Sequence, residues 1–524
     1  MPRRQRPGHC VDMHLYANEP EIALLEGVLN RAPPGDSLVT AKVALAWHLR
    51  QRDSARALRL VQEVMPIVGA PGAADPGNGL CACHSRAALA AAEASAHFCE
   101  FDEAERCLRD ARTRLAPAWD PPAAGDAWLV EALLAKGLGQ RDREREALAR
   151  AVGCFESIAA PERLAIARIW AAFERMSAHA SVPGPGPEDR VDGFAPEARD
   201  AWQAIRGAAY AATLVHRNPA AAAAAYGQAS EQAALLGMVL LEVNCLLESG
   251  AASHQLGNYD LAARSFDRAS IRARATGWPT LIGTCDTRIG ELLCDLGAYD
   301  ESRAILGESI DALSAFPRGA VLAKACSALA RTLLAMGESD HALVPIGEAN
   351  ALFRQADCPR DLAVNLILQA RALAAAARPG KALAAVDEAV QIIDELGLEA
   401  LWVGVHDVLA DLHHRFPLSP PPGMTLPTAA LHYAEAMLRD GLRIDGWKPR
   451  TTLYDFLAKR WAEAGEHTRA YDYARHALAT EELETVQKMA YPLSLLGALR
   501  RAELSARPQA VLDQMDEVAA RGNA

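Results

Sequence analysis

The chain has 524 residues, 51% of them hydrophobic but only 6% aromatic, with a formal net charge of −12. This negative balance and a pI near 5.7 argue against nonspecific binding to nucleic acid. No stretch approaches the roughly 18 consecutive apolar residues of a membrane span. Eleven cysteines, several on predicted helical faces (Cys107, Cys245, Cys294, Cys326), have an odd count and irregular spacing. They suit a reducing compartment rather than a disulfide framework. The basic start (Arg3, Arg4, Arg6) runs into His9, Asp12 and His14 instead of an apolar stretch, so no signal peptide is expected and the chain reads as cytoplasmic.

Residues 1–36 form an N-terminal segment closed by Pro33-Pro34-Gly35-Asp36, with room for one short helix over Glu21 to Leu29. Helical periodicity begins near Ser37, and residues 37–181 read as degenerate helix pairs. Ala41 to Leu49 and Ala57 to Met65 flank a polar turn at Gln51-Arg52-Asp53, and Gly72 to Gly79 reads as a loop. A clearer pair carries Ala92, Phe101, Ala104, Leu108 and Ala111. The next carries Ala135, a turn at Gln140 to Asp142, then Ala147 and Ala151. A helix from Pro161 to about Ser177 begins a pair without a partner. Residues 182–195, opening Val-Pro-Gly-Pro-Gly-Pro, read as a linker.

Regular repeats fill 196–416. Turn-like sites start at Gly257, Gly297, Gly337 and Ala377, 40 residues apart. Seven residues before each stands a small residue: Gly250, Gly290, Ala330 and Ala370. After each come a small residue (Ala262, Ser302, Ala342, Ala382), a bulky one (Phe266, Leu306, Ile346, Val386) and a small one again (Ala269, Ser309, Ala349, Ala389). Ala222, Tyr226 and Ala229 extend the columns one step back. The spacing predicts two antiparallel helices per repeat, packed closely at the small column. Neither helix of a pair can bury its apolar face without stacked neighbours. Residues 417–427 read as a proline-rich insertion. Within 428–524, Ala458, Gly465, Ala470 and Ala477 restore the register, and an amphipathic segment spans Pro492 to Leu504.

Gly250, Gly257, Ala262, Phe266 and Ala269 resemble the tetratricopeptide repeat in residue order and spacing. The resemblance implies an all-α fold, a right-handed α-solenoid of helix-turn-helix repeats. The 40-residue period departs from the usual length of about 34, which predicts longer helices or connections. It also implies partner binding along the concave groove lined by helix A. One groove position of the family falls on Ala251, Glu291, Arg331 and Arg371. With helix A placed over 244–255, 284–295, 324–335 and 364–375, the expected groove residues are Asn244, Glu248, Arg288, Glu291, Lys324, Arg331 and Arg371. Their charge is mixed, with positive charge gathered in the later repeats. Arg331 and Arg371 are candidates to bind an acidic segment of a protein or peptide partner through forked hydrogen bonds. Solvated helix faces with intrahelical pairs are the plainer reading of the same arginines.

Chemical motifs are sparse. Cys81-Ala82-Cys83-His84 is the only metal-like cluster, and it lacks the second pair that zinc sites use. It nevertheless leaves a metal-dependent enzyme as one alternative, although no metal or other cofactor is expected. His413-His414 suits the end of a helix, where cationic side chains favour the dipole. Gly380-Lys381 follows a helix and precedes Ala382, unlike a phosphate loop. The main expectation is therefore a non-catalytic binding scaffold. Arg469-Ala470-Tyr471-Asp472-Tyr473-Ala474, then Glu481-Glu482-Leu483-Glu484, resembles the end of the repeat region in bacterial signalling proteins whose repeats precede a diguanylate cyclase. That resemblance implies a regulatory role in bacterial signalling. Because no Gly-Gly-Asp-Glu-Phe-like signature occurs before Ala524, it also offers a stand-alone or truncated sensory half as an alternative.

Overall fold

The computed structural model describes residues 15–16, 19–31, 33, 35–70, 80–115, 120–178, 194, 196–215, 218–317, 319–444 and 446–489. The expected loop at 72–79, the Val182 to Pro187 stretch and the terminal segment Pro492 to Leu504 lie outside them. Among the described residues there are 22 α-helices and no strand. The first eight are α1 (Glu19–Leu29), α2 (Asp36–Leu49), α3 (Ser54–Val68), α4 (Leu80–His97), α5 (Phe101–Thr113), α6 (Ala123–Gly137), α7 (Arg141–Ser157) and α8 (Pro161–Ala178). Next come α9 (Pro196–Leu214), α10 (Pro219–Leu235), α11 (Val239–Gln255), α12 (Tyr259–Thr276), α13 (Pro279–Asp295), α14 (Tyr299–Ser314), α15 (Ala320–Ala335) and α16 (Ser339–Gln355). The last are α17 (Pro359–Ala375), α18 (Pro379–Leu396), α19 (Trp402–Arg415), α20 (Ala429–Gly441), α21 (Thr451–Glu463) and α22 (His467–Met489). Each helix packs against the next in chain order, giving an all-α solenoid.

The turns show why the chain breaks where it does. Gly237, Gly257, Gly277, Gly297, Gly337, Asp357, Ala377 and Gly397 all have positive φ, at intervals of 20 residues or a multiple of 20. A left-handed residue thus ends B helices as well as A helices in this run, although α14 ends without one. At each such turn but Gly277, where the Trp278 amide donates to the Thr276 hydroxyl (3.2 Å), the following amide closes back on a carbonyl five residues earlier, as in Asn258 N to Ser253 O (2.9 Å) and Cys358 N to Phe353 O (2.9 Å). This closure satisfies carbonyls the helix end would leave bare. Cys99, Gly139 and Ala159 keep the same 20-residue arithmetic in the first part of the chain. Counting seven back from Gly139 puts the small column at Ala132 rather than Ala135.

The helices absorb the extra repeat length. α11, α13 and α17 are 17 residues each and α15 is 16, so helix A begins four or five residues before the expected 244, 284, 324 and 364. Prolines open several helices (Pro161, Pro196, Pro219, Pro279, Pro359, Pro379), where no intrahelical N–H is lost. Pro66 and Pro345 lie inside helices. Residues 417–428 carry no helix and join α19 to α20.

The small and bulky columns meet. A Cβ on Gly250 would lie 2.5 Å from the Phe266 ring, and one on Gly290 2.6 Å from Leu306. Phe266 and Leu306 are fully buried. At the Gly290 crossing the Ser302 hydroxyl donates to the Gly290 carbonyl (2.8 Å) and meets the Thr332 hydroxyl of the next repeat (2.8 Å).

The solenoid also coils back on itself, which the columns do not foretell. Arg52, on the α2–α3 turn, donates from Nε to the Gly237 carbonyl (2.9 Å), 185 residues away. Trp278 Nε1, at the α12–α13 turn, donates to Ser54 Oγ (3.0 Å), 224 residues away. Arg141 reaches Cys358 Sγ (3.5 Å), 217 residues away. Against a pair length of 40 residues, these separations correspond to roughly five helix pairs per superhelical turn. The A-to-B turns of one pass abut the B-to-A turns of the next. The same rule brings Gly446, between α20 and α21, against Leu256 at the α11–α12 turn.

Candidate functional site

Helix A of each repeat buries one face against helix B and its neighbours, which leaves a polar stripe on its other face. On α11 to α19 this stripe is a ladder of opposite charges running from repeat to repeat. Arg288 lies 3.1 Å from Glu291 on its own helix and 3.8 Å from Glu248 on the preceding helix A. Arg331 donates to the Glu291 carbonyl at 3.3 Å. Lys324 pairs with Asp361 (3.3 Å), Arg371 with Asp407 (2.7 Å), His254 with Asp295 (2.8 Å) and His406 with Asp440 (3.3 Å).

The electrostatics follow from this crowding. Burial alone would lower the pKa of Arg288, but Glu291 and Glu248 outweigh it and push it up. Burial would raise Glu291, and Arg288, Arg331 and His254 reverse the sign. For Asp295, burial is again the largest influence and acts upward, yet the His254 hydrogen bond and the Arg331 charge bring it down to about 2. Burial lowers Arg360, on α17, while Asp361 and Glu248 pull it up. Arg360 of α17 thus lies within electrostatic reach of Glu248 on α11, three repeats earlier.

Of the residues expected in the groove, Glu248, Arg288, Glu291 and Arg331 form one continuous chain. Lys324 and Arg371 stand in separate pairs further along, and Asn244 is exposed on α11 one turn before Glu248. The later repeats hold no surplus of positive charge at this face, because Asp361 and Asp407 neutralise Lys324 and Arg371. These carboxylates stand 37 and 36 residues after their partners, beside the groove column and not in it. Following a single column misses them. The ladder retains access to solvent: the side chains of Arg288, Glu248, Arg371 and Lys324 are 31%, 42%, 42% and 51% exposed.

The same face in the first part of the chain is closed. Arg86 donates to Asp120 (2.9 and 2.6 Å) and to Asp126 (2.6 Å), and Arg163 donates to Asp126 (2.9 Å), all buried. Arg50 donates to Glu93 (2.6 Å) and to the Leu15 carbonyl (2.9 Å). The Trp47 ring lies between the Arg50 and Arg86 guanidinium groups, at 3.6 and 4.3 Å. Tyr16 is held within electrostatic reach of Arg50 and Glu93, and burial pushes its phenol up. A faint sequence signal exists, since Arg86, Asp126 and Arg163 keep a step of 40 and then 37 residues. Nothing in a single chain marks them as buried.

His84 of the metal-like cluster has Nε2 2.8 Å from Asp110 Oδ2, while the Cys83 thiol is 3.7 Å from the Thr40 hydroxyl. The side chain of Cys81 lies outside the described residues. Among the described residues no group of three or more His, Cys, Asp or Glu could hold a metal ion, and no helix is long and apolar enough to cross a membrane. His413 and His414 fall in the last turn of α19, as expected, and Lys381 in the first turn of α18.

No family model matches the chain, and no curated protein does. Among solved structures, a Rap protein complexed with Competence and Sporulation Factor is 11% identical, covering 77% of this chain and 99% of that one at a TM-score of 0.46. Aspartyl phosphate phosphatase F from Bacillus subtilis is 11% identical over 76% of this chain and 94% of its own, at 0.42. Yeast Tom70 is 13% identical over 92% and 94%, at 0.32. At these identities and scores none says what this chain binds. Its class rests on its own turns and columns: a tetratricopeptide-like α-solenoid.

Proposed function

We propose that this protein is a non-catalytic regulatory scaffold that binds an extended protein or peptide segment along the ladder on α11 to α19. The supporting observation is the ladder itself, a solvent-accessible row of alternating charges on consecutive A helices. Each rung is self-neutralised in the free protein, so a ligand must exchange partners with it. A segment bearing carboxylates competes for Arg331, Arg371 and Lys324 and releases Asp361 and Asp407 to basic groups of the same segment. Asn244, Glu248, Arg288 and Glu291 form the earlier part of this surface. Because the rungs are partly exposed, binding is salt-dependent, with screening over about 8 Å at physiological ionic strength.

A role in bacterial signalling is supported only by the wording around Arg469 to Glu484, all of it within α22. Kinship with cyclase-linked proteins has the same sole support. The test is a peptide array of host protein segments probed with purified protein, repeated with Arg331→Gln/Arg371→Gln. These neutral replacements avoid creating repulsion toward Asp407. Binding lost by a folded double variant supports the ladder. Unchanged binding of every segment moves the site elsewhere.

A further inference from the structure

We propose that the seam between successive passes of the coil is a latch. It holds the solenoid wound, and it opens by rigid separation of the passes to admit a partner to the ladder. The latter part rests on the binding role proposed above.

The seam joins turns, not helices. Among the described residues no helix of α2–α7 packs along a helix of α10–α17; all substantial helix contacts are between near neighbours in the chain. What joins the passes is a short series of individual contacts. Arg52 caps the end of α10 through the Leu236 and Gly237 carbonyls while also pairing with Glu19 (2.7 Å). Gly237 suits that site, since its φ is +64° and a Cβ would push the Arg52 guanidinium away. The His97 and Trp278 rings stack at 4.2 Å and 15°, and Trp278 is 1% exposed. The Cys99 thiol faces Thr280 across the seam. A Cβ on Gly139 would meet Ala356 at 3.3 Å, and Arg141 touches Cys358.

From Cys99 to Gly139 the first pass keeps the 40-residue step that Gly237 and Gly277 keep in the second, so their turns stay face to face; the α2–α3 turn at Arg52 stands 47 residues before Cys99 and departs from it. Apolar side chains also bridge the passes, Phe98 against the core of α11 to α15 and Met238 and Phe316 against that of the first helices. They sit at turns and add no helix-on-helix packing, and end-on contacts of this kind resemble interfaces that permit domain motion. Opening it changes the pitch of the coil and leaves each helix pair intact. On the inner face, opening increases the separation between α11 and α17, whose Glu248 and Arg360 attract across the coil. The seam and the ladder therefore bias one equilibrium, and occupancy of either shifts the other.

The test uses the full chain. Arg52→Glu/Arg141→Glu places carboxylates against the α10 carbonyls and removes the contact with Cys358, outside the packed columns. Expected are a larger radius of gyration by small-angle scattering and an unchanged helical signal by circular dichroism. Thr280→Cys sets a second thiol opposite Cys99. Oxidised, it should keep the parent radius and weaken binding of an array-selected peptide at least about fivefold, reversed by reductant. A parent-like radius in the double glutamate variant overturns the latch, as does loss of helix together with the seam. Equal peptide affinity in oxidised and reduced forms overturns the coupling to the ladder. If no peptide binds the parent protein, the binding role fails, while the scattering result still decides whether the seam opens.

Discussion

Ala377 occupies a backbone position that its counterparts fill with glycine. Gly257, Gly297 and Gly337 have φ of 75°, 82° and 83°, and Ala377 is held at 56° in the same turn. A left-handed conformation costs an L-residue with a Cβ roughly 1–2 kcal/mol, partly offset by the greater freedom glycine has when unfolded. Ala377→Gly is therefore expected to stabilise the protein by about 0.5–1 kcal/mol, seen as a higher denaturant midpoint at unchanged slope. This position was legible in the sequence, because a turn must recur where its column recurs. The partners of the groove cations were not. A carboxylate such as Asp407 becomes a partner of Arg371 only through the rotation between repeats. Asn365 is a further case. It is fully buried, donates to the Asn350 side chain (2.8 Å) and the Ile346 carbonyl (3.1 Å), and accepts from Ser327 (2.7 Å). Its position in an apolar helix gives no hint of these three bonds.

At the scale of the helix pair, close approach is the organising fact, and the sequence displays it. Glycine or alanine on helix A lies against a bulky residue 16 positions later on helix B, as with Gly290 and Leu306. Gly290→Leu would drive new atoms into Leu306 and part the Ser302 hydroxyl from the Gly290 carbonyl. The expected loss is about 1–3 kcal/mol or more, because a packed crossing cannot relax without moving a helix. Gly307, one residue after Leu306, has nothing within 4 Å of a built Cβ. Gly307→Ala should instead stabilise α14 by roughly 0.5–1 kcal/mol, through helix propensity alone. Thermal unfolding of the two variants side by side checks both signs. Helix length was less legible than helix position. The columns fix where chains cross and turn, but α11, α13, α15 and α17 begin four or five residues before the starts expected at 244, 284, 324 and 364.

For the whole molecule, the coil's return on itself is set by small rotations summed over several repeats, and no local pattern reports such a sum. Arg52 and Trp278 look like ordinary turn residues until the passes meet. One measurable consequence concerns acid. His97 is buried against Trp278, and its Nε2 has no hydrogen-bond partner among the described residues. Burial is the largest influence on it and lowers its pKa to about 4; Glu93 opposes this and Arg50 adds to it. With the seam open, the ring regains water and an ordinary pKa near 6.5. Between about pH 6.5 and 4 the open form therefore binds more protons than the closed one. Acid favours opening across that window, and the effect is complete once pH passes below the closed-state value. The shift is worth up to about 3 kcal/mol. Lowering the pH from 7 to 4.5 should increase the radius of gyration while helical content holds. His97→Gln, which cannot titrate, should flatten that response. The histidines of the last repeats, His406 and His413, also have pKa values lowered chiefly by burial, but they lie outside these seam contacts. A His97→Gln protein that still expands with the parent's pH profile would place the proton on those residues and leave the seam indifferent to acid.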